Sequence, residues 1–355
     1  MRRTEHDVRP GDRVTVSDIA AAAGVSVATV SKVLNDRSDV APGTRALVQE
    51  LLADRGYVRT SRTVRNQLAR EGRAAGGGLI DIVFHDAGSP WAAEMIRGVQ
   101  VAARAARAAV VVSTLGADHR DGEHLFEDIT DRGSLGIILT LSKLSDADHA
   151  RITRLGVPAI LVDPVGDLAS DLPTFGAGNW GGAVEATQHL LDLGHRRIGT
   201  ITGPMRYLCS QARLAGYRSA LERAGIAADP DLVRTGDFHF ASAAAGAAEL
   251  LGLPDPPTAI FAANDEQALG VYAAVRDRGL EVPGDLSVVG FDDVPMSQWV
   301  LPPLTTVRQP IQALAELATR TLLGVHAGTP AVPRARTELP TTLVTRSSTA
   351  PPRTR

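Results

Sequence analysis

Residues 16–35 read VSDIAAAAGVSVATVSKVLN. Ile19, Ala20 and Ala23, then Val30 and Val33, fall on two short helical faces, and Gly24 separates them. Two helices that cross closely need a small side chain at the contact, which Ala20 supplies, and the turn needs a residue at ease with positive φ, which Gly24 supplies. Ser26 stands where its hydroxyl can accept a backbone N–H and cap the second helix. The pattern predicts a helix-turn-helix whose second helix, Val27 to Leu34, is the one that reads a groove; a helical hairpin of no special function carries the same local signature. Pro42 to Gly56 (PGTRALVQELLADRG) predicts a third helix, with Ala46, Leu47, Leu51 and Leu52 on its packing stripe and Gly56 as its stop. Arg55 to Arg73 then holds six arginines against a single acid, Glu71. Such a run is either a solvated linker or a segment that phosphates order.

Charge is distributed unevenly about this segment. The 355 residues carry a net charge of −3, but residues 1–73 carry +4 and the other 282 carry −7. The basic end is the natural nucleic-acid end. With 44% hydrophobic residues the chain can bury a full core, and its length suggests two or three folding units. Cys209 is the only cysteine, so neither an intrachain disulfide nor a cysteine metal cluster holds the fold, and a reducing cytosol fits. The basic start lacks the apolar stretch of a secretory signal, and no later stretch approaches ~18 uninterrupted apolar residues. Secretion and membrane insertion are therefore not expected.

After the glycine-rich break at 74–78, short apolar runs alternate with helical stretches: LIDIVF, AAEMIRGVQVAARAA, AVVVSTL, and later GIILTL, PAILVD, RRIGTIT, TAIFAAN and LSVVGFDD. This alternation predicts βαβ units with parallel sheets covered by helices. Roughly ten such strands exceed one ordinary sheet, so two lobes are expected. Ligands of open α/β sheets bind outside the carboxyl ends of the strands. That rule places Asp86 to Trp91, Thr140 to Lys143, Asp163, Asn264, Asp265, Asp292 and Asp293 on loops facing one cleft.

VTVSDIAAAAGVSVATVSKVLN resembles, nearly position by position, the N-terminal pattern of the lactose-repressor and galactose-repressor (LacI/GalR) regulators, and VRNQLA looks like their hinge helix. The likeness continues through HLLDLGHRRIGTITGP, ARLAGYRSAL, TAIFAANDEQALGV, VPGDLSVVGFDDVP and PPLTTVRQP. It implies an all-α helix-turn-helix headpiece followed by an α/β two-lobed domain like that of periplasmic sugar-binding proteins. The expected divisions are a headpiece at 1–60, a hinge helix and linker at 61–78, an effector-binding and dimerisation domain at 79–346, and a flexible tail at 347–355. The resemblance also implies that Val27, Ala28 and Lys32 face base edges in the major groove, that Thr15, Ser26, Thr29, Ser31 and Asn35 help to hold DNA, and that Leu68 wedges into the minor groove. Val27 and Ala28 have no donors and can sense only thymine methyls or shape, which leaves Lys32 as the polar reader. In the larger domain it implies that Arg213, Phe238, Asn264 and Asp292 contact the effector, with Asp86 and Trp91 closing the cleft. Arginine and aspartate hold paired hydroxyls while an aromatic covers the apolar face of a ring, so a sugar is the expected effector. Taken without the family, Arg213 pairing with a surface acid, Phe238 in the core and Asp292 capping a turn are the simpler assignments. Two departures stand out: the spacing after Tyr57 is about two residues longer than the family's, and Gly178 replaces the aspartate that commonly precedes the asparagine matching Asn179.

Other signals carry less. GAGNWG at 176–181 fits G-x-G-x-x-G, but no acid ends the following strand, so it is expected to be a lobe-crossing turn and helix start. Neither G-x-S-x-G nor H-E-x-x-H occurs, and His85, His119, His124, His149 and His195 are expected at the surface. The adjacent carboxylates Asp265-Glu266 and Asp292-Asp293 point apart on a helix or strand and form no ready acid/base pair. The expectation is a regulator whose partners are operator DNA and a small effector, without cofactor, metal or enzymatic activity, and cytoplasmic. The family and operator symmetry imply a homodimer, and RSSTAPPRTR lacks the leucine heptads that would tie dimers into a tetramer. A cytosolic sugar sensor acting through a protein partner is the main alternative, and an enzyme with an accessory headpiece a distant third.

Overall fold

The computed structural model of the protein describes residues 16–34, 37, 40–54, 77–114, 121–140, 146–165, 171–330 and 336–353. It separates into two compact units, Met1–Glu71 and Gly72–Arg355.

In the first unit α1 (Val16–Ala23), α2 (Val27–Leu34) and α3 (Pro42–Asp54) enclose a small core of Ile19, Ala20, Val30, Val33, Val40 and Val48. Gly24 adopts φ +65°, and the Val25 amide donates to the Ala20 carbonyl at 3.1 Å, closing the turn between α1 and α2. The stripe expected on α3 is shifted. Ala46 and Leu47 are exposed, Val48 is buried, and Leu51 and Leu52 pack beside it. Two apolar rows overlap on this helix, and the i, i+3, i+4 row through Val48 is the one α1 and α2 cover.

The second unit holds two six-stranded sheets. One contains β1 (Leu79–Phe84), β2 (Ala109–Thr114), β3 (Gly136–Thr140), β4 (Ala159–Val162), β5 (Thr174–Ala177) and β11 (Arg336–Leu339) in the spatial order β11-β5-β4-β3-β1-β2, all parallel. The other contains β6 (Ile198–Thr202), β7 (Val233–Thr235), β8 (Ala259–Ala262), β9 (Ser287–Asp292), β10 (Thr305–Arg308) and β12 (Thr342–Val344) in the order β12-β10-β9-β8-β6-β7, with β12 alone antiparallel. Helices α4 (Pro90–Ala105), α5 (Asp121–Asp131), α6 (Asp146–Leu155) and α11 (Ile311–His326) belong to the first lobe. Helices α7 (Asn179–Asp192), α8 (Leu208–Arg223), α9 (Phe240–Leu251) and α10 (Asp265–Asp277) belong to the second. The central strands are buried on both faces, as their unbroken apolar runs require. The chain passes between lobes three times, at 177–179, 308–311 and 339–342. Close helix pairs need glycine at the crossing: a Cβ on Gly98 would collide with the Gln312 carbonyl across α4 and α11, and one on Gly216 with the Trp180 carbonyl across α8 and α7. No helix among the described residues is long and apolar enough to cross a membrane.

GAGNWG ends β5 and opens α7, carrying the chain from one lobe to the other. Two expectations are corrected. His195 is 1% exposed rather than at the surface, its ring nitrogens 2.8 Å from Thr258 Oγ1 and 2.9 Å from the Ala350 carbonyl, and burial lowers its pKa. The tail expected to be free from 347 is packed instead. The Ser348 hydroxyl accepts from the Thr305 amide at 2.8 Å and donates to the Val288 carbonyl at 2.6 Å, while the Ala350 amide donates to Ser287 Oγ at 3.0 Å. Composition misled here, because a Ser/Thr/Pro-rich stretch can also satisfy the polar edge of a sheet. Deleting 347–355 is expected to lower unfolding stability by at least about 2 kcal/mol in urea titration, since buried donors and acceptors lose partners at roughly 1–3 kcal/mol each; a free tail would be silent.

Candidate functional site

On the first unit, the Ser26 hydroxyl accepts from the Thr29 amide at 3.1 Å and lies 2.9 Å from Thr29 Oγ1, so the first turn of α2 is capped. Capping leaves Ser26, Val27, Ala28 and Lys32 exposed, with Val27 at 50%, and Thr29 half-buried. Capped, short side chains at the start of an exposed helix suit entry into a major groove. Thr15, Asn35, Leu68 and the side chain of Ser31 lie outside the described residues, as does most of the expected hinge segment.

In the second unit a cavity of about 290 Å³ lies between the two lobes at the carboxyl ends of the strands. Asp86, Trp91, Arg213, Phe238, Asn264 and Asp292 all line it. Asp86 follows β1, where its Oδ1 accepts from the Gly88 amide at 2.8 Å. Trp91 opens α4 behind the Ser89 cap and meets Phe84 edge to face, with centroids 6.5 Å apart. Phe238 stacks at 5.9 Å on Tyr207, giving the opposite lobe its own aromatic platform. Phe238 sits at φ +75° and Asp292 at +113°, and Asp163 and Asp293 are also at positive φ. Of the five described non-glycine residues at positive φ, Asp163, Phe238 and Asp292 are on the cavity wall, which marks backbone held against its preference at a binding site.

Arg213 is the centre of the floor. It is 5% exposed; its Nε donates to Asn179 Oδ1 at 2.8 Å, its Nη1 donates to the Ala263 carbonyl and lies 3.7 Å from Asp292 Oδ1, and its guanidinium covers the Phe291 ring at 3.8 Å. It is therefore no surface arginine. Asn264 has a double duty: Oδ1 accepts from the Gln267 amide at 2.8 Å as the cap of α10, and Nδ2 donates to the Phe238 carbonyl at 3.0 Å. Its amide fixes the strained phenylalanine loop as well as lining the cavity.

Several wall residues were not singled out from sequence: Arg206, Tyr207, Cys209, His239 and Glu266. Tyr207 and Cys209 follow strand β6 by a few residues, and that spacing was the available signal. His239 Nε2 lies 3.8 Å from Asp86 Oδ2 across the mouth, and Val165 pairs with Tyr207 through an isolated antiparallel bridge, so the lobes touch on both sides of the cavity.

Buried charge dominates the electrostatics. Burial pushes Asp163 up to about 6 despite the guanidinium of Arg213, and pushes Asp292 up to about 6 against the same Arg213. Asp265 beneath them is raised well above its ordinary value by burial and then by the charge of Asp292. Cys209 is pushed up to about 12 by burial, which leaves its thiol protonated and unreactive. A carboxyl whose folded pKa is raised destabilises the fold once it ionises, so this contribution is unfavourable above pH 6 and vanishes below the unfolded value near 4. These two carboxyls are therefore expected to contribute a gain in stability as pH falls through 6 toward 4, opposed by His189 and His195, whose lowered values favour the unfolded chain on acidification. Asp163→Asn and Asp292→Asn are each expected to raise neutral-pH stability by on the order of 2 kcal/mol and to flatten that pH dependence, as measured by urea titration at each pH.

The same architecture recurs in known proteins. Residues 15–60 match the family described as bacterial regulatory proteins, lacI family, and residues 187–349 match a periplasmic binding protein-like domain. The HTH-type transcriptional regulator MalR of Streptomyces coelicolor is 38% identical over 344 residues, covering 94% of this chain and 96% of the relative. The HTH-type transcriptional repressor CytR of Escherichia coli is 33% identical over 318 residues, covering 88% and 91%. Among solved structures, a complex of the transcriptional regulator CelR with cellobiose superposes with a TM-score of 0.71 at 32% identity over 95% of this chain and all of that one. The lac repressor dimer bound to operator and an anti-inducer gives 0.70 at 29% over 96% of this chain and all of that one. With a capped reading helix ahead of a two-lobed, acid-floored cleft, and relatives of this identity over nearly its full length, the chain belongs to the LacI family of bacterial regulatory proteins.

Proposed function

We propose that the chain is a sequence-specific transcriptional repressor whose operator affinity is set by a small polar effector, a sugar or sugar derivative, bound in the interlobe cavity. The observation that carries this is the joining, in one chain, of an exposed and capped α2 to a cavity whose floor pairs Arg213 with Asp292 beneath the Tyr207–Phe238 platform. Carboxylate and guanidinium bind vicinal hydroxyls and the platform takes the apolar face of a ring. A regulator with cellobiose and another with bound ribose are among the similar structures, which supports a carbohydrate here. The DNA-contacting set is Thr15, Ser26, Val27, Ala28, Thr29, Ser31, Lys32, Asn35 and Leu68, with the headpiece at 1–60 and the hinge at 61–78.

The protein acts in the cytoplasm, where its operator lies, and is not an enzyme. Asp292 and Asp293 are already engaged, by Gln309 and by Arg308 respectively, so the adjacent acids are not a free acid/base pair. It works as a homodimer on a pseudo-palindromic site. Trp299 is 75% exposed and Leu301 86%, beside half-exposed Phe240, which is the sort of apolar patch that self-association covers.

Selection of genomic fragments by the full-length protein is expected to recover a discrete inverted-repeat site; recovery of no fragment over scrambled competitor would remove the proposal. On that site affinity is expected to fall steeply with salt, and Lys32→Ala to weaken binding roughly tenfold and relax specificity at one base pair. Trp299→Asp with Leu301→Asp is expected to convert a sedimenting dimer to monomer and to weaken operator binding in parallel, with the thermal unfolding of each chain retained.

A further inference from the structure

The three passages between lobes converge on one carboxylate. In the passage at 308–311, Gln309 Nε2 donates to Asp292 Oδ1 at 2.5 Å and the Gln309 amide donates to the Asp292 carbonyl at 3.2 Å. One residue earlier, Arg308 Nε donates to Asp293 Oδ2 at 2.6 Å. One residue later, Pro310 leads into α11, whose Ile311 and Leu314 are buried in the core of the opposite lobe. In the passage at 177–179, Asn179 Nδ2 donates to the Ala177 carbonyl at 3.1 Å, and Asn179 Oδ1 accepts from Arg213, which faces Asp292. The passage at 339–342 is tied to this second one: the Gly178 amide donates to the Leu339 carbonyl at 2.9 Å, and the Thr341 hydroxyl to the Gly178 carbonyl at 3.3 Å.

We propose that Gln309 is the positioning residue that links the cleft carboxylate Asp292 to the interlobe hinge, with Asn179 as its counterpart through Arg213. Gln309 is 4% exposed, and its Oε1 is buried without a hydrogen-bond partner. A buried amide left half satisfied is unfavourable, and the one side-chain hydrogen bond it keeps is to Asp292, while its backbone carbonyl accepts from the Ile311 amide at 2.9 Å. A ligand hydroxyl that donates to Asp292 shares the carboxylate with Gln309 Nε2 and draws it away from that bond. Losing that bond frees the passage at 308–311 near its midpoint. Occupancy at the floor and the angle between lobes are thereby two readouts of one hydrogen bond. Coupling of this kind requires a two-state element that both sites bias, and the passage at 308–311 is that element.

The assignment rests on the cleft being the effector site, but its test needs neither effector nor DNA. Spin labels on Arg104→Cys and Arg223→Cys, both exposed and on opposite lobes, report the interlobe distance in the full-length protein. Buried Cys209 stays unlabelled, and excess unlabelled chain keeps one labelled copy per dimer. Gln309→Leu and Asp292→Ala are each expected to shift the mean distance by roughly 2 Å or more, the scale of a hinge change rather than side-chain adjustment. The double variant is expected to shift no further than either single one. Asn179→Ala is expected to move it likewise, and carries the test if Gln309→Leu does not fold. Thr319→Val, which removes a buried hydroxyl bond inside α11, is expected to leave the distance unchanged. An unchanged distance in folded Gln309→Leu, or in Asn179→Ala where Gln309→Leu does not fold, fully additive shifts in the double variant, or an equal shift in Thr319→Val would overturn the assignment. That result leaves an effector-controlled operator response intact, whereas failure to recover an operator removes the repressor reading and leaves the clamp standing.

Discussion

The second unit is organised around a charge problem: a buried carboxylate at Asp292 whose one nearby cation, Arg213, stands 3.7 Å away. An ionised acid in a largely dry site is tolerated only when its oxygens are met by donors. Gln309 supplies one, and the backbone around the acid is forced through two consecutive positive-φ residues to keep the geometry. That turn is in turn braced from below. Asp265 Oδ2 accepts the Val294 amide at 2.9 Å, Asp265 Oδ1 accepts the Thr306 hydroxyl, and Asp293 is held by Ser297, Arg308 and Arg346. The braces come from α10, from β10, from the turn after β9 and from the segment after β12, so the acid is held by elements far apart in sequence. A site so over-determined can carry strain without relaxing, which is what a small ligand needs in order to be felt.

The first unit solves a smaller problem with local means. Its core is six short aliphatic side chains, and its turn relies on a single left-handed glycine. Among the described residues of this unit no polar side chain is buried, and the capped start of α2 is consequently free to be varied for recognition.

Much of this was legible in the sequence because it is periodic or local. β1 coincides with LIDIVF, the Ser26 cap is made, and the rule about strand carboxyl ends brought Asp86, Trp91, Thr140, Asp163, Asn264 and Asp292 to one cavity, though not Asp265 or Asp293, while Arg213 and Phe238 on its wall came from the family resemblance. What escaped was non-local. β7, β11 and β12 are three or four residues long and partly exposed at sheet edges, too short for any periodicity. Val48 outcompeted Leu47 on α3 for reasons that lie in α1 and α2. His195 looked like a loop histidine until Thr258, Ser287 and Ala350, distant in sequence, were placed around it. Gln309 gave no signal of its own, since one glutamine after a strand is unremarkable until its partner is known.

The interleaving of the two lobes bears on how the chain is made. The trihelical unit is complete within the first 71 residues and has only near-neighbour contacts to form, so it can fold soon after it leaves the ribosome. Neither lobe can. The first lobe awaits α11 and β11, and the second awaits β12 and the Ser348–Ala350 segment, all from the final 45 residues. Throughout most of synthesis a finished DNA reader therefore trails behind two half-built sheets with open edges, and a premature stop anywhere before residue 339 would release a headpiece with no complete control domain behind it.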